Sequence, residues 1–230
     1  MKRPSLVLLA LLAAYTVAAI YRLPRVREQM NPDGIAYISI AERYLAGDLA
    51  ESVTGHWGPM FSWHLTPLLA FGVEPFRACK VETLATGLAT LVGAWLLSSL
   101  YSRIISVRAV VCAALVPLLL AWAASPVSPD LLVVCFLTYY AYFISEPDLS
   151  RRSVIAAAIF GAATYLSKSY GFVFFLIHFT LLCAARWTFA ERGIGRSEII
   201  RRFGLGLAVF LGGTSQREIW PADVWNRGFV

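Results

Sequence analysis

The chain has 230 residues, of which 58% are hydrophobic and only 15% charged, with a mean hydropathy of +0.65. A soluble domain carries nearer a quarter charged residues, so this composition excludes one and indicates a polytopic membrane protein. The net charge of +6 does not argue for nucleic acid, because the basic residues fall in short clusters between apolar runs, which is the pattern of membrane topology.

Met1-Lys2-Arg3 precede an apolar run from Leu6 to about Ile20. The run is long for a signal peptide and its Ala18-Ala19 exit is a weak cleavage site, so it reads as an uncleaved first span. Both readings place residue 24 onward outside the cytoplasm. The next stretch, Asn31 to Trp63, is the one long segment rich in acids, His and aromatics. Asn31-Pro32-Asp33-Gly34 is a turn followed by a helix start, which presents free N–H groups and the positive end of a helix dipole beside a carboxylate. Tyr37, Ile38, Ala41, Tyr44 and Leu45 then follow helical spacing while Ser39, Glu42 and Arg43 face the other way, which predicts an amphipathic helix lying flat at the membrane surface. Pro59 to Phe71, broken by His64 and Pro67, predicts a second surface or re-entrant helix that returns the loop to the membrane.

Further spans are expected at about Val81–Leu100, Ala109–Ala124, Leu131–Ile144, Val154–Leu166 and Phe172–Ala185. Several fall short of the roughly 20 residues that cross upright, so flanking bases must snorkel. Phe203 to Gly213 is too short to cross, and the chain is expected to stop within a helix that a longer protein would complete. The cysteines form no framework: Cys112, Cys135 and Cys183 sit in apolar runs and Cys79 stands alone, so neither disulfides nor a structural zinc are expected.

Charge sets the orientation. With the N-terminus in the cytoplasm, the short inner loops carry Arg103 and Arg108, then Arg151 and Arg152, then Arg186, Arg192, Arg196, Arg201 and Arg202, while the short outer loops hold only Lys168. Asp33, His56, Asp130 and Lys168 thereby come out on one outer face. Each has an ordinary reading: Asp33 as a helix cap, Ser128-Pro129-Asp130 as a helix start, Lys168 as a snorkelling end, and His56 and His64 as interfacial residues. Together they amount to two carboxylates, a lysine and a His-Trp-Gly-Pro turn at a membrane boundary, where polar groups mark substrate sites. A carboxylate can serve as general base toward a hydroxyl or amine, and an ammonium can neutralise a phosphate leaving group.

Asp33-Gly34-Ile35-Ala36-Tyr37, Ala41, Gly47-Asp48 and Trp57-Gly58-Pro59-Met60-Phe61-Ser62-Trp63, followed by Pro129-Asp130 and by Leu166-Ser167-Lys168 with Gly171, resemble bacterial polytopic glycosyltransferases of the GT-C fold. Within that fold the likeness is to the group related to protein O-mannosyltransferases and aminoarabinose transferases of lipid A. The likeness covers about residues 5–190, and Trp-Gly-Pro-Met departs from the Pro-Pro pair common in that loop. The resemblance implies an all-α transmembrane bundle of about six or seven spans, formed by residues 1–213, with an outer loop at about 24–80 carrying two surface helices and a polar tail at 214–230. It implies transfer of a sugar from a polyprenyl-phosphate donor to a protein, glycan or lipid acceptor outside the cytoplasmic membrane. Asp33 would be the catalytic carboxylate, acting as base toward the acceptor, Asp130 its support, Lys168 the neighbour of the donor phosphate, and His56, Trp57 and Tyr37 substrate contacts. No cofactor is demanded by the residues themselves, while in some relatives the first acid helps to hold a divalent cation. Two other readings compete: a truncated non-catalytic subunit or pseudo-enzyme, and a solute or lipid transporter, the latter opposed by the lack of paired broken helices.

Overall fold

A computed structural model of the chain describes residues 3–26, 32–52, 57–124, 127–189 and 195–215. Among them the structure is all-helical, with ten helices: α1 (Arg3–Val26), α2 (Pro32–Ala46), α3 (Leu49–Ser52), α4 (Pro59–Ala70), α5 (Pro75–Tyr101), α6 (Ile105–Ala124), α7 (Asp130–Ser145), α8 (Arg151–Ser167), α9 (Tyr170–Thr188) and α10 (Arg196–Thr214).

Four of these are long and apolar enough to cross a bilayer: Leu6–Val26 of α1, α5, α6 and α9. That is fewer than the six or seven spans the sequence suggested. The apolar α7 has 16 residues, about 24 Å at 1.5 Å per residue, against a hydrocarbon core of about 30 Å. The 17 residues of α8 are likewise short. The run from Phe203 lies within the tenth helix, which is not among the helices long and apolar enough to cross. This helix runs for 19 residues from Arg196, and its charged first turns are tied down: Arg202 bonds Glu198 at 3.0 Å and reaches the carbonyls of Asp148, at 3.0 Å, and Leu149. Apolar side chains such as Val17, Val110 and Leu181 face outward from the spans, as helices turned to lipid require. The chain is an all-helical membrane protein.

The helices from α5 onward alternate in direction through short connections, with α7 packed along α5 and α8, α6 on α1 and α5, and α10 on α8 and α9. One buried cluster joins α7 to α10 around Phe175, Phe179 and Phe210, and another joins α1, α5 and α6 around Tyr15, Leu91 and Trp95. A third lies at one end of the bundle, where Tyr37, Ile38 and Ala41 of α2 meet Phe61 and Leu65 of α4, Ala78 and Cys79 of α5, and Leu132 of α7. Both surface helices of the long loop are therefore present and are fastened to the bundle by apolar packing. The buried face of α2 is the expected one through Tyr37, Ile38 and Ala41, with Ile40 added to it and Leu45 left 49% exposed.

At the opposite end Arg186 and Arg108 act as fasteners. Arg186 donates to the carbonyls of Ile144, Glu146 and Pro147 at 3.0 to 3.1 Å. Arg108 lies over the Trp95 ring, 4.1 Å from its centroid, and bonds the Trp95 carbonyl at 2.9 Å.

Candidate functional site

The start of α7 and the end of α8 meet at the end of the bundle capped by α2 and α4. Asp130 opens α7 behind Pro129, and Ser128 is close enough for its hydroxyl to donate to the Asp130 Oδ2 at 2.5 Å. Lys168 is the residue at which α8 stops, in extended backbone. Its Nζ stands 2.5 Å from the other Asp130 oxygen, Oδ1, with both side chains about one-third exposed. Burial alone would raise the Asp130 carboxyl, but the bonds from Lys168 and Ser128 outweigh it and hold it below the usual carboxylate range. Asp130 is thus an anion with both oxygens occupied. Lys168 is a cation fixed in place rather than a mobile snorkelling end.

Asp33 falls in the first turn of α2, which begins at Pro32, and its side chain is half-buried. Tyr37 lies one turn further along α2. Burial pushes the Tyr37 phenol above its ordinary value, and the charges of Asp33 and Asp130 both push it further. Tyr37 is only 2% exposed. Its ring packs edge-on to Trp57 at 5.3 Å and Phe61 at 5.2 Å, and its carbonyl accepts from the Ser62 hydroxyl at 2.9 Å. Tyr37 and the half-buried Trp57 are thereby packed together at this end of the bundle.

Gly58 sets how near the Trp57 turn comes to α8. A methyl group on Gly58 would stand 2.4 Å from the Leu166 carbonyl oxygen and 2.6 Å from that of Ser167. Only glycine lets the Trp57-Gly58-Pro59 turn sit directly on the last turn of α8, beside Lys168. Gly171 makes a second close approach, since a side chain there would meet the Thr164 backbone at 2.7 Å; this pins the start of α9 to α8. The motif residues of the sequence thus serve to bring backbones together around the Asp130–Lys168 pair.

Of the six candidate site residues, Asp33, Tyr37, Trp57, Asp130 and Lys168 are gathered at this end, and His56 lies outside the described residues. Among the described residues no group of three or more His, Cys, Asp or Glu side chains is placed to hold a metal ion. Asp33 and Asp130 are two carboxylates, and the second is already occupied by Lys168 and Ser128. This set does not fit a divalent cation.

Sequence reasoning overlooked an acid nearby. Glu82 of α5 is buried and bonded to His64 of α4 at 3.1 Å and to the Thr86 hydroxyl at 2.8 Å. The signal was present, since a glutamate at the head of an apolar run is costly in a membrane and invites attention. Comparison with protein-family models, with curated proteins and with solved structures finds no match for this chain.

Proposed function

We propose that the chain carries the donor-facing end of a membrane glycosyltransferase, one that moves a sugar from a polyprenyl phosphate to an acceptor on the outer face of the cell membrane. The observation that carries the reading is the fixed Lys168 ammonium, held by Asp130 beside a second, half-buried carboxylate, Asp33, where transmembrane helices end. An anionic leaving group attached to a lipid tail needs a cation at the membrane boundary, which Lys168 would supply.

The chemistry follows from these roles. Asp33 takes the proton of an acceptor hydroxyl or amine as that atom bonds to the anomeric carbon. The bond from that carbon to the phosphate oxygen breaks, and the polyprenyl phosphate leaves with the electron pair. Lys168 stabilises the charge that gathers on the leaving phosphate, in a fixed position that requires no reorganisation at the moment of reaction. Asp130 holds Lys168 and does not itself meet the reacting atoms. Trp57 supplies an aromatic face for the sugar, and Tyr37 supports Trp57 from below.

The test is incubation of membranes containing the chain with labelled polyprenyl-phosphate sugars. Label above that of control membranes in a protein, glycan or lipid product supports the reading. Absence of label with every sugar, in membranes shown to hold the folded chain, opposes it.

A further inference from the structure

A buried acid stands apart from the site described above. Glu82 lies in the third turn of α5, a helix of 27 residues that at about 40 Å outreaches the hydrocarbon core, and its side chain is 4% exposed. One oxygen, Oε1, takes both of its hydrogen bonds, from Thr86 at 2.8 Å and with His64 Nδ1 at 3.1 Å. The other, Oε2, is buried and has no hydrogen-bond partner.

A bare carboxylate would leave charge on an oxygen that neither water nor protein solvates, which is among the costliest arrangements a protein can adopt. The neighbouring groups do not remove that cost. Cys79 on α5 and Cys135 on α7 lie within electrostatic reach, but a thiol offers no positive charge. Lys80 lies two residues earlier on α5, hence on another face of the helix, and is itself engaged. Thr83 and Tyr139 are occupied with the carbonyls of Ala123 and Ala89. That leaves His64, 40% exposed, as the group that touches Glu82 on one side and the exterior on the other.

We propose that Glu82 and His64 form a proton-binding site that holds one exchangeable proton between a buried carboxylate and a half-exposed imidazole. The proton has two seats, one on Glu82 and one on His64, and transfer along the Oε1–Nδ1 contact exchanges them with no change in net charge. The site as a whole stays neutral in either arrangement, which is what its burial demands. His64 is the entrance, and the proton fastens α4 to α5. Because Ser62, half a turn before His64 on α4, also bonds the Tyr37 carbonyl of α2, the same proton steadies the helix that bears Asp33. The inference does not depend on the glycosyl-transfer reading.

The experiment uses the full chain in lipid nanodiscs at neutral pH, followed by infrared spectroscopy of the carboxylic acid carbonyl stretch and by nitrogen-15 spectra of labelled histidine. The wild-type chain is expected to show either a neutral-acid band or an imidazolium signal that Glu82→Gln abolishes. In His64→Gln the proton is left one seat, so the acid band is expected, shifted in heavy water and absent from the double variant. If the wild type shows neither signal, or if His64→Gln folds and lacks the band, Glu82 stands as a bare carboxylate and the proposal is overturned. Should His64→Gln fail to fold, the comparison of wild type with the near-isosteric Glu82→Gln decides alone.

Discussion

Gly58→Ala is the substitution on which the geometry of the site turns. The added carbon would stand 2.4 Å from the Leu166 carbonyl oxygen, 2.6 Å from that of Ser167 and 2.8 Å from the Ser167 carbonyl carbon. Close carbon–oxygen contacts lie at about 3.3–3.6 Å, so the α4 turn must withdraw from α8 by roughly 1 Å. The obstacles are backbone atoms at a helix end and cannot rotate away, which puts the cost toward the top of the about 1–3 kcal/mol seen for overpacking. Gly47→Ala is the control. Gly47 has φ +78° and open space around it, so alanine there suffers only the left-handed backbone penalty of about 1–2 kcal/mol and disturbs no neighbour. The assay is thermal unfolding of the purified chain with hydrogen exchange read by peptide. Gly58→Ala should lower the midpoint and speed exchange in the first turn of α4 and around residues 166–169, with α9 and α10 unchanged, while Gly47→Ala should leave both of those segments alone. Wild-type melting and wild-type exchange in Gly58→Ala would refute the close seating of the turn on α8.

Lys168→Met and Asp130→Asn, singly and together, should show a coupling energy of about 1 kcal/mol in unfolding midpoints, since one-third exposure screens the pair; purely additive losses would mean that the pair is not formed. The depressed Asp130 carboxyl gives a sign: the pair's contribution is complete above the ordinary aspartate value and is lost only as pH falls through the lowered one. Acid titration of the carboxyl band, assigned by Asp130→Asn, should therefore show protonation below 3.8, the unperturbed value, and protonation above it would contradict the geometry. Arg186→Met strands three carbonyls at the turn after α7 and should cost about 2–3 kcal/mol in the same melts, with a loss under 0.5 kcal/mol contradicting the fastening role. For orientation, the four native cysteines are all buried, so an impermeant thiol reagent applied to intact cells should label Leu49→Cys and spare Ser106→Cys; the reverse pattern would turn the arginine-rich end outward. Leu49 suits this role because it is 62% exposed.

The sequence foreshadowed the helical class and the assembly of Asp33, Asp130 and Lys168 at one end, because hydrophobic period and arginine placement are local properties that survive folding. What depends on partners was less legible. Tyr37, Ile38 and Ala41 of α2 are buried as their spacing indicated, while the burial of Ile40 and the exposure of Leu45 depend on how α2 meets α4 and α5, which composition alone does not specify. The charged first turns of α10 are held by Arg202 reaching carbonyls more than fifty residues away, a bond no window of sequence contains. Gly58 and Glu82 were hidden for opposite reasons. A glycine beside a proline reads as a turn until the helix that it touches is known, and an acid at the edge of an apolar run reads as a boundary until its burial is known.

The most direct test of the account is the rate of sugar transfer in Asp33→Asn against wild type, in membranes with equal protein levels and with the Asp130–Lys168 pair intact. Asparagine keeps the size of the side chain and serves at a helix N-terminus about as well as aspartate, so a residue that only steadies the start of α2 should lose almost no rate. A general base should lose on the order of 10²-fold or more. The large loss is expected with unchanged melting, and near-normal transfer by Asp33→Asn would contradict the role of Asp33 as general base.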